Sequence, residues 1–241
     1  MDYFEQLHNG VRIFQPDACF KIGTDSILVA DFLTLRPGVR VADLGSGTGN
    51  IAFLLTGRSD TCHITGIELQ RPACDAAHKT IRFNALEDRV CIIQADLRQI
   101  RDHFPSGSFQ AAVSNPPYFP SDSGKAAEDS AIADARSERT CSLHDVCAAA
   151  AWLLRTGGNF ALVHRPERLC DLMYELRSCG LEPKRMRFVR HNTQSRASLV
   201  LLESKRGGKP GLKLENDFIL FEPDGRPSPE YRRVYHLDGN T

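Results

Sequence analysis

No stretch of this chain is long and apolar enough to cross a bilayer. The longest unbroken apolar run, Val146–Leu154, has nine residues, against about 20 for a spanning helix. The opening residues Met-Asp-Tyr-Phe-Glu-Gln lack the basic and apolar regions of an export signal, so a cytoplasmic protein is expected. The 8 cysteines, at 19, 62, 74, 91, 141, 147, 170 and 179, include no Cys-x-x-Cys pair. That removes zinc-knuckle and redox spacings, and no metal site is expected. In a chain kept inside the cell they are expected to be reduced and mostly small core residues. Internal repeats and low-complexity tracts are also missing. What remains is 241 residues at 41% hydrophobic and 25% charged, the composition of one α/β domain or a core with a small appendage.

Net charge is absent too, with 30 Lys plus Arg against 30 Asp plus Glu. The balance hides an asymmetry. Between Lys184 and Lys209 stand eight basic residues (Lys184, Arg185, Arg187, Arg190, Arg196, Lys205, Arg206, Lys209) and one acid, Glu203. Such a block suits a phosphate-facing patch, or a charged edge that discourages strand pairing.

From Val39 onward short apolar runs alternate with helical spacing. Strands are expected at Val39–Leu44, His63–Ile67, Val90–Gln94, Phe109–Ser114 and Asn159–Val163. Helices are expected at Asn50–Thr56, Arg71–Asn84, Leu143–Leu154 and Pro166–Ser178. This rhythm predicts an α/β fold, a mostly parallel sheet covered on both faces. Lys184–His191 and Ser198–Glu203 follow without a helix between them and predict an antiparallel hairpin at one end of the sheet. Residues 1–36 precede the rhythm and read as an extension flanking the site, with residues 37–241 as the main domain. Residues 119–141 are polar and read as a long functional loop.

Val41-Ala42-Asp43-Leu44-Gly45-Ser46-Gly47-Thr48-Gly49 closes a strand and opens a helix. Its glycines let backbone approach a ligand closely. Asn50 stands where a dinucleotide fingerprint needs its third glycine. The next strand ends on Glu68, followed by Leu69, and the third leads into Asp96-Leu97. Glu68 is placed to accept hydrogen bonds from ribose hydroxyls, and Asp96 from an adenine amino group. Carboxylates at three successive strand tips repel pyrophosphate and suit a cofactor with a cationic end, as in S-adenosylmethionine. Taken singly, Asp43 and Asp96 also read as helix N-caps.

The fourth strand ends Val113-Ser114-Asn115-Pro116-Pro117-Tyr118. A conjugated amino group is a poor nucleophile because its lone pair is delocalised. The Asn115 side-chain oxygen and the Pro116 carbonyl can accept its hydrogens and aim the lone pair at a methyl group. Proline presets the carbonyl direction, and Tyr118 offers a face for a flipped base.

At these residues the chain resembles the class I methyltransferases that modify exocyclic or amide nitrogens. Further stretches resemble the bacterial tRNA1(Val) (adenine-N6)-methyltransferase family, which acts beside the anticodon. They are Phe20-Lys21-Ile22-Gly23-Thr24-Asp25-Ser26-Ile27-Leu28, Ala135-Arg136-Ser137-Glu138, His164-Arg165-Pro166-Glu167-Arg168-Leu169, Glu182-Pro183-Lys184-Arg185 and Gly207-Gly208-Lys209-Pro210-Gly211-Leu212-Lys213. The resemblance implies a Rossmann-like class I methyltransferase fold, S-adenosylmethionine as cofactor and tRNA as partner. It also implies that Lys21, Thr24 and Asp25 lie near the methionine end of the cofactor. His144 stands where that family leads one to expect an acid. In the resulting reading, Asp43, Gly45, Ser46, Gly47, Gly49, Glu68, Leu69, Asp96, Leu97 and Asn115 hold the cofactor. Asn115, Pro116, Pro117 and Tyr118 hold the base. Arg136 and Arg139 of the polar loop join Lys184, Arg185, Arg187, Arg190, Lys205, Arg206 and Lys209 in gripping RNA, a basic set too concentrated for a core to need. A protein glutamine-N5 methyltransferase and a non-catalytic RNA-binding protein on the same fold remain open on these residues.

Overall fold

In the computed structural model, residues 3–16, 19, 21–116 and 141–237 are described. A hairpin of β1 (Tyr3–Gln6) and β2 (Arg12–Gln15) leads into helix α1 (Thr24–Phe32). The alternation then runs β3 (Arg40–Leu44), α2 (Asn50–Thr56), β4 (His63–Glu68), α3 (Arg71–Phe83), β5 (Val90–Gln94), α4 (Ile100–His103) and β6 (Phe109–Ser114). Beyond it come α5 (Leu143–Leu153), β7 (Leu154–His164), α6 (Leu169–Ser178) and the long strands β8 (Leu181–Arg190) and β9 (Ala197–Arg206). Short β10 (Lys213–Leu214), β11 (Phe218–Ile219) and α7 (Pro229–Val234) close the chain. The expected charged helix at Pro166 begins as a 3-10 turn, Pro166–Arg168, before α6.

One sheet of nine strands has the order β10-β8-β9-β7-β6-β3-β4-β5, with β11 also on β8. Strands β5, β4, β3, β6 and β7 are parallel, and β9 lies antiparallel between β7 and β8. The expected hairpin is therefore present, its strands extending three residues beyond the apolar runs at the end away from the turn. After β3 the chain builds β4 and β5 on one side, then crosses back to lay β6 on the other. Connections leave β3 in opposite directions, so a crevice opens at the carboxyl ends of β3 and β6.

Alternate side chains of each strand feed two cores, as the two-residue period requires. Val41, Ala111, Val113, Ala161, Val163 and Leu201 join the core under α1, α2 and α3. Ala42, Leu44, Ala112, Phe160, Leu162 and Leu202 join the one under α5 and α6. Leu7, Val11, Ile13, Leu28, Val29 and Leu33 of the N-terminal extension are buried in the first of these cores. The ends of α5 and α7 are set by capping. Ser142 and Asp145 form a reciprocal capping box, and Ser228 caps a helix whose first residue is Pro229. All eight cysteines are free, but only Cys62, Cys74 and Cys147 are buried. The expectation of mostly core cysteines is corrected, since Cys91 and Cys170 point outward. Among the described residues no helix is long and apolar enough to cross a membrane.

Candidate active site

The glycine turn after β3 is held by the strand beside it. Gly45 and Ser46 donate their N–H groups to the Ile67 carbonyl at 2.9 and 3.1 Å. Gly45, Gly47 and Gly49 have φ of 68, 55 and 85°, left-handed backbone that glycine adopts without strain. Their uses differ. A Cβ on Gly49 would meet the Phe53 ring at 2.7 Å, whereas beside Gly45 and Gly47 there is open space. Gly49 serves helix packing, and the other two leave a cradle for a ligand.

Two carboxylates border that cradle. Glu68 accepts the Gly47 N–H through Oε2 at 2.8 Å and the Gln70 N–H through Oε1 at 2.7 Å. It is 9% exposed, and burial raises its pKa against the opposing pull of those N–H groups. Asp43 is fully buried and accepts the Ala52 N–H through Oδ2 at 3.1 Å. Its Oδ1 has no partner among the described residues. Burial pushes Asp43 up to about 7, with Glu68 adding to the rise. Two buried acids with one orphaned oxygen want positive charge, so this donor set fits a cationic ligand and opposes a pyrophosphate.

Cys19 and residues 21–26 flank this site. The Cys19 thiol is raised by burial and then by the charge of Glu68, which places it near that carboxylate. Seven positions later, the Ser26 hydroxyl accepts a hydrogen bond from Asn115 Nδ2 at 3.1 Å. Lys21 and Thr24 are exposed and Asp25 half-buried along the same stretch. Asn115 and Pro116 leave the tip of β6 immediately beside β3, so the Asn-Pro turn and the glycine cradle share one crevice. Pro117, Tyr118, Arg136 and Arg139 lie outside the described residues.

Three residues expected at the site make further contacts within the chain. Asp96 caps the 3-10 turn at Leu97–Gln99 by accepting the Arg98 N–H. Its oxygens also pair with the Arg98 side chain, at distances down to 2.5 Å, so the capping role expected of it singly is present. Leu97 is buried in the second core. Ser46 turns its hydroxyl inward toward Gly66, where it has no partner among the described residues; its backbone alone faces the turn. Leu69, by contrast, is 40% exposed beside Glu68, an apolar surface at the rim.

The profile described as methyltransferase small domain matches residues 18–176. This chain belongs to that family. A Tolumonas auensis protein named tRNA1(Val) (adenine(37)-N6)-methyltransferase is 32% identical over 237 residues, 95% of this chain and 92% of its own length. One of the same name from Porphyromonas gingivalis is 27% identical, covering 92% and 89%. A solved structure of a predicted O-methyltransferase from Agrobacterium tumefaciens matches with a TM-score of 0.74 at 17% identity, over 90% of this chain and 98% of its own. TrmN from Thermus thermophilus matches at 0.54 and 18% identity, over 75% and 48%. At such identities the two structures bear on the fold alone, and that fold is the class I methyltransferase fold.

In this methyltransferase domain the basic block is not the free charge its sequence advertises. Arg185 donates to Glu215 at 2.8 Å, to Glu203 at 3.1 Å and to Thr34 at 2.7 Å, with its guanidinium over the Phe32 ring. Arg187 makes a two-pronged pair with Glu230, and Arg190 pairs with Asp217 at 2.5 Å. Arg206 donates to the Trp152 and Leu154 carbonyls, and Lys184 to the Lys209 carbonyl. The expectation that no core needs these charges is therefore corrected. Their acidic partners Glu215, Asp217 and Glu230 lie beyond residue 209, outside the stretch over which the basic block is defined. Lys205, Lys209 and Arg196 form no ion pair among the described residues. His144 bonds Glu175 at 2.7 Å and ties α5 to α6. Sequence reasoning missed the particular use of Ser26, although the motif that contains it stands out. Among the described residues no cluster of His, Cys, Asp and Glu is arranged for a metal ion.

Proposed function

We propose that this chain transfers a methyl group from S-adenosylmethionine to the N6 amino group of an adenine in tRNA, adenine 37 of a valine tRNA by analogy with its named relatives. The observation that carries the reading is the convergence of an Asn-Pro turn and a carboxylate-lined glycine cradle in one crevice. Asp43 and Glu68 give the cradle the negative character that a sulfonium and an ammonium need. Gly45 and Gly47 leave room for close approach, and Leu69 offers apolar surface to an adenine ring. Bound there, S-adenosylmethionine supplies an activated methyl group on a positively charged sulfur.

The chain's own residues then orient the acceptor. The Asn115 Oδ1 and the Pro116 carbonyl accept the two hydrogens of the amino group, which draws its lone pair out of conjugation. Rate gain comes from orientation and from excluding water, without a strong base. Exposed Arg196 stands at the same end of the sheet as Asn115 and meets phosphate. A tRNA substrate puts this work in the cytoplasm.

Labelled cofactor, the full chain and total tRNA from a strain lacking the modification test the reading. Label in N6-methyladenine is expected, and Asn115→Ala should cut turnover at least about 100-fold with little change in cofactor affinity. Label in glutamine of a protein, or in no adenine, would overturn it.

A further inference from the structure

Asn115 reaches its place at the tip of β6 with its amide nitrogen bonded to a residue 89 positions earlier in the chain. An amide side chain at the end of a strand turns about two single bonds, so a contact to a packed element is what gives its oxygen a fixed direction. A reversed amide would present a donor to an amino group that needs an acceptor. We propose that Ser26 is a positioning residue, which anchors the Asn115 side chain at α1 with Nδ2 on that side and Oδ1 on the side of the acceptor site. This role rests on the assignment of Asn115 as acceptor for the target amino group.

The placement of Ser26 suits it for the task. It lies in the first turn of α1 and is 8% exposed. Its own N–H is committed to Asp25 Oδ1 at 2.9 Å. The helix behind it is anchored by Leu28, Val29 and Leu33, all buried in the core shared with β3 and β6. A hydroxyl on a packed helix is a rigid reference for a side chain on a loop. The extension of residues 1–36 thus supplies a part of the site that the Asn-Pro turn cannot supply itself.

The test uses the full chain and tRNA lacking the modification. Ser26→Ala should lower kcat about 10- to 100-fold, leaving cofactor Kd and tRNA KM within about twofold, because orientation and not binding is lost. Ser26→Thr, which keeps the hydroxyl, should recover most of the rate. In an Asn115→Ala background, Ser26→Ala should cost much less than it does alone, since Ser26 acts on the rate through Asn115. Ser26→Cys, close in volume and a weak acceptor, replaces Ser26→Ala if that variant does not fold, with the same expectations. A kcat within about twofold of wild type, or an equal loss in the Asn115→Ala background, would overturn the positioning role. A drop in kcat matched by falls in melting temperature and cofactor affinity would make Ser26 merely structural. A wild-type chain that methylates no adenine would overturn the reaction assignment, and the positioning role with it.

Discussion

Asp43 is where the energetics of the site concentrate. A carboxyl group with no exposed surface, one N–H donor and an orphaned Oδ1 is costly to ionise, and its pKa rises from 3.8 to about 7. At about 1.4 kcal/mol per unit, ionising it in the unliganded protein costs a few kcal/mol. The sign follows from proton linkage. An acid with a raised folded pKa contributes stability that is intact below its unfolded pKa and is lost as pH climbs through the folded value. The window here is pH 4 to 7. Asp43→Asn carries no charge to desolvate, so its unfolding free energy relative to wild type should improve across that window and level off above pH 7. Urea titrations at successive pH values check this, and a difference that does not vary with pH would mean that Asp43 ionises normally. The same physics predicts that a cationic ligand binds with proton release near pH 6, readable by calorimetry in buffers of different ionisation enthalpy.

At the scale of elements, the β8–β9 hairpin is stapled to the body of the domain through Arg185. Its guanidinium reaches Glu203 on β9, Glu215 after β10, and Thr34 after α1. Glu203 is 4% exposed, and burial raises its pKa against the pull of Thr34 and Arg185. Removing the cation strands that carboxylate, a loss of roughly 3–5 kcal/mol for a buried pair broken on one side. Arg185→Ala should therefore lower the urea midpoint, Glu203→Gln in that background should restore part of it, and the salt dependence of RNA binding should stay the same. Near-normal stability with a shallower salt slope would return Arg185 to the RNA surface. Elements were legible wherever periodicity spoke over five or more residues: Asn50–Thr56, Val90–Gln94 and Phe109–Ser114 match their expected bounds. The β1–β2 hairpin was missed because its strands have four residues each, though Asn9-Gly10 with φ of 84° at Gly10 is the turn pair that marks it. The Gly-turn, Glu68 and Asn115 were readable because local chain geometry fixes them. Ser26 and the ion pairs of Arg185 and Arg187 were not, since each joins residues tens of positions apart that only the folded topology brings together.

Over the whole molecule, strand direction sorts the surface cations into two groups. β6 and β7 are parallel, and β9 runs back antiparallel to β7, with Val200 opposite His164 and Lys205 opposite Asn159. Arg165, Arg190 and Arg196 consequently stand at the catalytic end of the sheet. Lys184, Lys205, Arg206 and Lys209 stand toward the other end. The eight-residue separation between Ala197 and Lys205 spans roughly 25 Å of extended strand. Arg190 is held by Asp217 and Arg165 donates to the Ser198 carbonyl, which makes exposed Arg196 the catalytic-end cation best placed to replace counterions along a bound backbone. A short stem-loop with its target adenine in the crevice reaches that end and not the far one, whereas a whole tRNA is long enough to reach both. Arg196→Ala should weaken stem-loop binding and reduce its salt slope by up to about one unit for each phosphate left unneutralised. Replacing Lys184, Lys205 and Lys209 together by Ala should leave stem-loop binding unchanged and weaken only full-length tRNA. Fluorescence anisotropy across a potassium chloride series measures both ligands. If the lysine triple variant loses stem-loop affinity while the Arg196 variant keeps it, RNA enters from the opposite side of the hairpin, and the catalytic end is not its platform.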